Sequence, residues 1–219
     1  RQHYVKELVL LYETNPTELS NVSNWLHGVN YYRHHHVDLQ HNNSIERFCR
    51  FVTGNANALV LAGGGTRGWA HVGAMRAFHE HGMEFDLVGG TSAGSVVAAI
   101  YATGADYEHL KDTMDMMLRA SLDVVKFSNY TWPIVSITNA RANTELLQRV
   151  FSNTHIEQLE RLFFCVSCNI SNSQETIHTQ GLLWQAIRAS CSVPGLAPPV
   201  AIDGDLYVDG GIVNNMPVD

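Results

Sequence analysis

No apolar run in these 219 residues is long enough to cross a bilayer, and no stretch of them reads as a secretory leader. Positive charge is scarce. The 14 Lys and Arg against 21 Asp and Glu leave a net charge of −7, which argues against nucleic acid as a partner and against general affinity for an anionic membrane. Access to lipid would need an apolar surface or another domain. Cysteine is limited to four residues, and with no leader these read as reduced thiols of an intracellular protein, cytoplasmic or peripherally bound to a membrane. Hydrophobic residues, in contrast, make up 45% of the chain, enough to bury one core. The expected organisation is a lead-in over residues 1–57, with a strand at Leu8-Val9-Leu10-Leu11-Tyr12 and an amphipathic helix, followed by a catalytic domain over 58–219. The chain opens on Arg1 and stops at Asp219, just past its last motif, so it reads as a piece of a longer protein truncated at its C-terminal end.

The most informative stretch is Gly90-Thr91-Ser92-Ala93-Gly94, set between the apolar run Phe85-Asp86-Leu87-Val88-Gly89 and a long stretch rich in alanine and valine. This places Ser92 on a strand-to-helix elbow, where Gly90 and Gly94 clear the approach to its hydroxyl. A nucleophilic serine is the expectation. Upstream, the strand-like Ala58-Leu59-Val60-Leu61-Ala62 runs into Gly63-Gly64-Gly65-Thr66-Arg67-Gly68 and then another helical stretch. Glycine-rich backbone at a helix start presents N–H groups with no internal acceptor, which suits an oxyanion hole. The same residues fit the dinucleotide fingerprint through Gly63, Gly65 and Gly68. That reading requires an acidic residue closing the second strand, whereas Asp86 opens it, so position rules it out. A third block, Asp209-Gly210-Gly211, follows the alternating Asp205-Leu206-Tyr207-Val208. It is either an Asp-Gly turn or the base for Ser92.

Together, Gly63 to Gly68, Gly90 to Gly94 and Asp209 to Gly211 resemble the patatin-like phospholipase family, in order. The runs Gly68-Trp69-Ala70-His71-Val72-Gly73, Asp86 to Ser92 and Asn214-Asn215-Met216-Pro217 are most similar to its neuropathy-target-esterase-like, lysophospholipase branch and bacterial relatives. The likeness runs from about Ala58 to the chain end and more weakly over His34 to Gly54. It implies a patatin-like three-layer α/β/α sandwich around a mainly parallel sheet. It also implies a Ser92–Asp209 dyad with no catalytic histidine, an oxyanion hole from Gly63, Gly64, Gly65, Thr66, Arg67 and Gly68, and Gly210 and Gly211 beside the base. The activity implied is hydrolysis of lipid acyl esters, of lysophospholipase or phospholipase A type, through an acyl-enzyme. No cofactor and no metal are implied. The partners implied are a lipid or lysophospholipid substrate, a membrane surface and flanking regulatory domains. The alternatives are a neutral-lipid or short-chain carboxylesterase, and a catalytically inactive lipid-binding or interaction module.

Several other residues need placing. Arg67 either pairs with a substrate anion or bonds carbonyls to hold its loop, and the second is preferred because oxyanion donors must be fixed before substrate arrives. His71 is expected to be packed or hydrogen-bonded in the core. His34-His35-His36, with His41 nearby, lacks a companion ligand set, so no metal is assigned. Cys165 and Cys168 lie three apart on a strand, face opposite ways and are read as buried thiols. Asn43-Ser44-Ile45-Glu46 resembles a capping box opening a helix with Ile45, Phe48, Cys49 and Val52 on one face, closed by Gly54. Leu110, Met114, Met117 and Leu118 make a helical stripe, read as core in preference to an acyl channel. Trp132-Pro133-Ile134-Val135 reads as an irregular apolar loop. Ser190 to Pro199 resembles the family's proline-containing loop between helix and strand, whose prolines would fix the path bringing Asp209 towards Ser92, and neither Ser190 nor Ser192 is read as catalytic because neither has an elbow.

Overall fold

Short apolar runs alternating with helical stretches must form a sheet covered by helices, and a computed structural model of the chain shows that arrangement. It describes residues 6–13, 19, 22–26, 28–123 and 136–218. In chain order the elements are β1 (Glu7–Tyr12), α1 (Val22–Leu26), β2 (Arg33–Asp38), α2 (Asn42–Val52), β3 (Ala58–Leu61), α3 (Trp69–Glu80), β4 (Leu87–Thr91), α4 (Ala93–Ala102) and α5 (Tyr107–Asp123). They continue with α6 (Arg141–Phe151), β5 (Leu162–Asn169), β6 (Gln174–His178), α7 (Leu183–Ser190), β7 (Val200–Ile202) and β8 (Asp205–Asp209). Trp132 to Val135 lies outside the described residues.

The main sheet has six strands, and β3, β4 and β5 run parallel. Beyond them the sheet is mixed, because β6 and β8 both run antiparallel to β5, and β7 antiparallel to β8. The register on β5 sets up the site. Cys165 and Val166 pair with β6 on one side and with Gly90 and Thr91 of β4 on the other. From Ser167 onward β6 keeps its side, while Asp209, Val208 and Tyr207 of β8 take the other. Strands β4 and β8 therefore share one edge of β5 and meet end to end. Residue 92 follows Thr91, and Asp209 opposes Ser167, so the two arrive at the same height.

Helix α4 is apolar all round, as a helix enclosed by its neighbours should be, and Val97, Ala98, Ala99 and Ile100 are fully buried. It packs on β3, β4 and β5. Leu110 and Met114 of α5 join the same core, with Met117 against it, whereas Leu118 faces out. The core reading of the stripe holds for its first three members.

The lead-in residues form a separate two-stranded parallel sheet, β1 with β2. The sequence pattern had shown no strand at 33–38, because its residues are charged and histidine rather than apolar. Helix α2 packs on β2, and the rings of Phe48 and Phe51 meet His35. The capping box is not formed: α2 starts after His41, which makes no side-chain cap, and the Ser44 hydroxyl donates to the Asp38 and His41 carbonyls. The inner face is also rotated from the expected one. Cys49 and Val52 are exposed, and Arg50 points inward to Asp86, which is 1% exposed and pairs with Arg50 Nη2 at 2.6 Å. Asp86 also accepts the Asn57 N–H at 2.9 Å. The carboxylate weighed as a ribose ligand thus anchors α2 and the start of β3.

The histidine run is likewise committed to packing. His34 and His36 both donate Nε2–H to the Glu157 carbonyl, at 3.0 and 2.8 Å, and His36 Nδ1 accepts from the Tyr12 hydroxyl at 2.9 Å. Burial holds His36 neutral, with its pKa down at about 4. Cys165 belongs to the main core and Cys168 does not, although both are buried.

Candidate active site

The end-to-end meeting of β4 and β8 leaves little freedom for the residue that leaves β4. Ser92 has φ 52 and ψ −124, a left-handed conformation that costs a non-glycine residue about 1–3 kcal/mol. The surroundings impose it. Gly90 and Gly94 press so close to the Leu61 carbonyl that a Cβ at either position would fall well under 3.0 Å from it. The Ser95 hydroxyl donates to the Ser92 carbonyl at 2.6 Å, and the Thr91 hydroxyl donates to the Asn214 carbonyl at 2.9 Å.

Asp209 is buried and interacts through its carboxylate with the Ser92 hydroxyl. It also accepts the Gly211 N–H at 2.7 Å, the expected Asp-Gly turn. Burial pushes the Asp209 carboxyl above its ordinary range, opposed by the Ser92 hydroxyl and the Gly211 N–H. The glycine loop lies against the same serine: a Cβ on Gly63 would lie 3.2 Å from Ser92 Cβ. The backbone of residues 65–68 turns in a 3-10 helix leading into α3. The N–H of Gly63 is taken by the Asn215 carbonyl at 3.0 Å, whereas those of Gly64 and Gly65 have no acceptor among the described residues.

One expectation changes here. Arg67 is exposed, and its side chain has no hydrogen bond or ion pair among the described residues. It does not bond carbonyls to hold the loop, because it sits on the outer side of the 3-10 turn. That task falls to His71, whose Nε2–H donates to the Ala62 carbonyl at 2.8 Å, and to Asn215, whose Nδ2 donates to the Gly63 carbonyl at 3.2 Å. The packed reading of His71 stands. Asn215 stood in the sequence only as part of a tail. No local pattern marks its role, since the contact spans most of the domain.

Cys191 also escaped the sequence reading. Its thiol lies beside Ser92, Ser95 and Asp209, and burial together with the Asp209 charge pushes it up to about 12. It stays protonated at neutral pH, so it does not compete with Ser92 as a nucleophile. His178 is bound elsewhere, to the Ser167 hydroxyl at 2.6 Å. No group of three or more candidate metal ligands occurs among the described residues. Apolar side chains are exposed around these turns at Val193, Leu196, Ile212, Val213 and Met216. No helix among the described residues is long and apolar enough to cross a membrane.

The chain is similar to known proteins. A solved structure of VipD from Legionella pneumophila superposes with a TM-score of 0.54 at 19% identity, over 74% of this chain and 47% of that one, a likeness of fold. The chain is 32% identical to a patatin-like phospholipase domain-containing protein of Caenorhabditis elegans, over 98% of this chain and 22% of the relative. It is 37% identical to lysophospholipase NTE1 of Saccharomyces cerevisiae, over 82% of this chain and 11% of the relative. It is also 37% identical to patatin-like phospholipase domain-containing protein 7 of Rattus norvegicus, over 79% and 13%. The chain thus spans a small part of the relatives it matches. The family model described as patatin-like phospholipase matches residues 59–219, from β3 through the turn at Asp209, and by that match and these identities the chain belongs to the patatin-like phospholipase family.

Proposed function

We propose that the chain is the hydrolytic unit of a lipid acyl esterase of the lysophospholipase or phospholipase A type, with Ser92 as nucleophile and Asp209 as its base. The observation that carries this is the register on β5 that brings Ser92 and Asp209 to the same height, beside loop N–H groups that lack an acceptor among the described residues. Asp209 takes the Ser92 proton as Oγ attacks the ester carbonyl. The oxyanion that forms is received by the Gly64 and Gly65 N–H groups. Collapse expels the alcohol, which carries away the proton held by Asp209, and leaves the acyl group on Ser92. Water then attacks with Asp209 again as base, and the fatty acid leaves. An ester releases an alkoxide, a better leaving group than an amine, so a carboxylate base suffices. The relatives named lysophospholipases support the substrate class, and the exposed apolar residues at Val193, Leu196 and Ile212 suit an acyl chain.

The test is a fluorophosphonate, followed by intact mass and peptide mapping. One adduct per chain, on Ser92, is the expected result. A folded chain that stays unlabelled rejects the reading in favour of a lipid-binding module, and an adduct mapped to another serine removes Ser92 as the nucleophile.

The guanidinium of Arg67, exposed and without an ion pair among the described residues, favours a phosphate-bearing lipid over a neutral one. Replacing Arg67 by alanine should raise KM for lysophosphatidylcholine by roughly threefold to tenfold, the range for an ionic hydrogen bond at a partly exposed site, and leave monoacylglycerol turnover unchanged. An equal loss on both substrates would return Arg67 to a loop-holding role.

A further inference from the structure

We infer that Ser190 is a positioning residue, which with Ser192 two residues on clamps Ser92 and Asp209 at one fixed separation; this rests on the dyad reading above. Pairing of β4 with β5 ends at Thr91 and Val166, so the strand ladder offers the Ser92 N–H no further partner. The Ser190 hydroxyl supplies one. It accepts the Ser92 N–H at 2.9 Å and donates its own proton to the Val166 carbonyl at 2.6 Å. Ser190 is fully buried. Its hydroxyl therefore bridges the centre of the sheet to the backbone of the strained residue, at the point where direct strand pairing stops.

The other half of the clamp acts on the acid. The Ser192 carbonyl accepts the Asp209 N–H at 2.9 Å, so residues 190 and 192 each hold the backbone of one member of the pair. Ser192 is itself locked. Its hydroxyl donates to the Arg188 carbonyl at 2.7 Å and receives Arg188 Nη1, while Arg188 Nε donates to the Thr144 hydroxyl at 3.1 Å. Arg188 is buried, and among the described residues it has no carboxylate partner. Burying a guanidinium against neutral hydroxyls is costly, which fits a role in ordering this segment. Cys191, between the two serines, is a titratable group that faces Asp209 among the described residues.

The test measures fluorophosphonate labelling of the full chain, resolved into affinity and maximal rate across pH, for wild type, Ser190→Ala and Ser190→Cys. The cysteine variant keeps the volume of the site and offers only a weak acceptor. Both variants should keep the wild-type affinity and label about tenfold to a hundredfold more slowly at saturation, as expected for a misplaced nucleophile. Their acid limb should also move to higher pH, because the Ser92 hydroxyl that draws the Asp209 carboxyl down is no longer held against it. A wild-type maximal rate in the folded variants overturns the inference. So does a lower rate with an unmoved acid limb, which reports fewer competent molecules and a packing role alone. Continued labelling of Ser92→Ala would instead defeat the dyad reading itself.

Discussion

Asp209→Asn should lower the maximal rate of ester turnover by about a hundredfold to ten-thousandfold, the usual contribution of a positioned general base, and Ser92→Ala should remove fluorophosphonate labelling altogether. The asparagine keeps the size of the side chain and an oxygen for the Gly211 N–H, so the turn at 209–211 survives. What it cannot do is take a proton. The wild type carries its own signature of this step in its pH dependence. Burial raises the Asp209 carboxyl above the ordinary carboxylate range, and only the ionised form accepts the Ser92 proton. The rate should therefore fall as pH drops through that raised pKa, with an acid limb above the pH at which an exposed aspartate would titrate. In Asp209→Asn that limb should disappear along with most of the rate. Saturation kinetics on lysophosphatidylcholine across the acid range measure both effects together. An asparagine variant within a few-fold of wild type, or one that keeps the same acid limb, would remove Asp209 from the chemistry.

The candidate site was legible in the sequence wherever its residues are local in the chain. Gly90 to Gly94 reads as an elbow because one pentapeptide must both leave a strand and open a helix, and Gly63 to Gly68 reads as a donor loop for the same local reason. What holds these pieces together was not legible. Ser190 reaches Ser92 across 98 positions, and Asn215 reaches Gly63 across 152; serine and asparagine in a turn are too common for their types to signal such contacts. The sequence also suggested a wrong occupation for Arg67, since a charge in a catalytic loop fits either a structural or a substrate role and only placement decides. In the lead-in, β2 was missed because Arg33-His34-His35-His36-Val37-Asp38 lacks apolar alternation. His34 and His36 are held by hydrogen bonds to a distant carbonyl, and His35 by Glu7 and the rings of Phe48 and Phe51, contacts that no local apolar pattern announces. The capping box failed for a related reason, as Asp38 at the end of that unrecognised strand claims the Ser44 hydroxyl.

The remaining large effect is structural and concerns Gly94, the second residue of α4. An added Cβ there would fall well under 3.0 Å from the Leu61 carbonyl oxygen and within 2.7 Å of the Ala62 oxygen. Neither oxygen can readily give way. Leu61 is paired with Gly90 in the β3–β4 ladder, and the Ala62 carbonyl holds His71. The collision must be relieved by lifting α4 off the sheet, and α4 carries the backbone that follows Ser92. Gly94→Ala should thus destabilise the chain by about 1–3 kcal/mol, the range for overpacking a tight interior, and lose labelling even where folded protein remains. Gly73 supplies the control, being a glycine within α3 whose Cβ would meet nothing within 4 Å. There the same substitution should stabilise the chain by about 0.5–1 kcal/mol, through helix propensity and a less flexible unfolded state. Denaturant midpoints of the two variants should consequently move in opposite directions from wild type. If Gly94→Ala instead unfolds at the wild-type midpoint and still labels, the close approach of the elbow to β3 is not what holds Ser92 in its left-handed conformation.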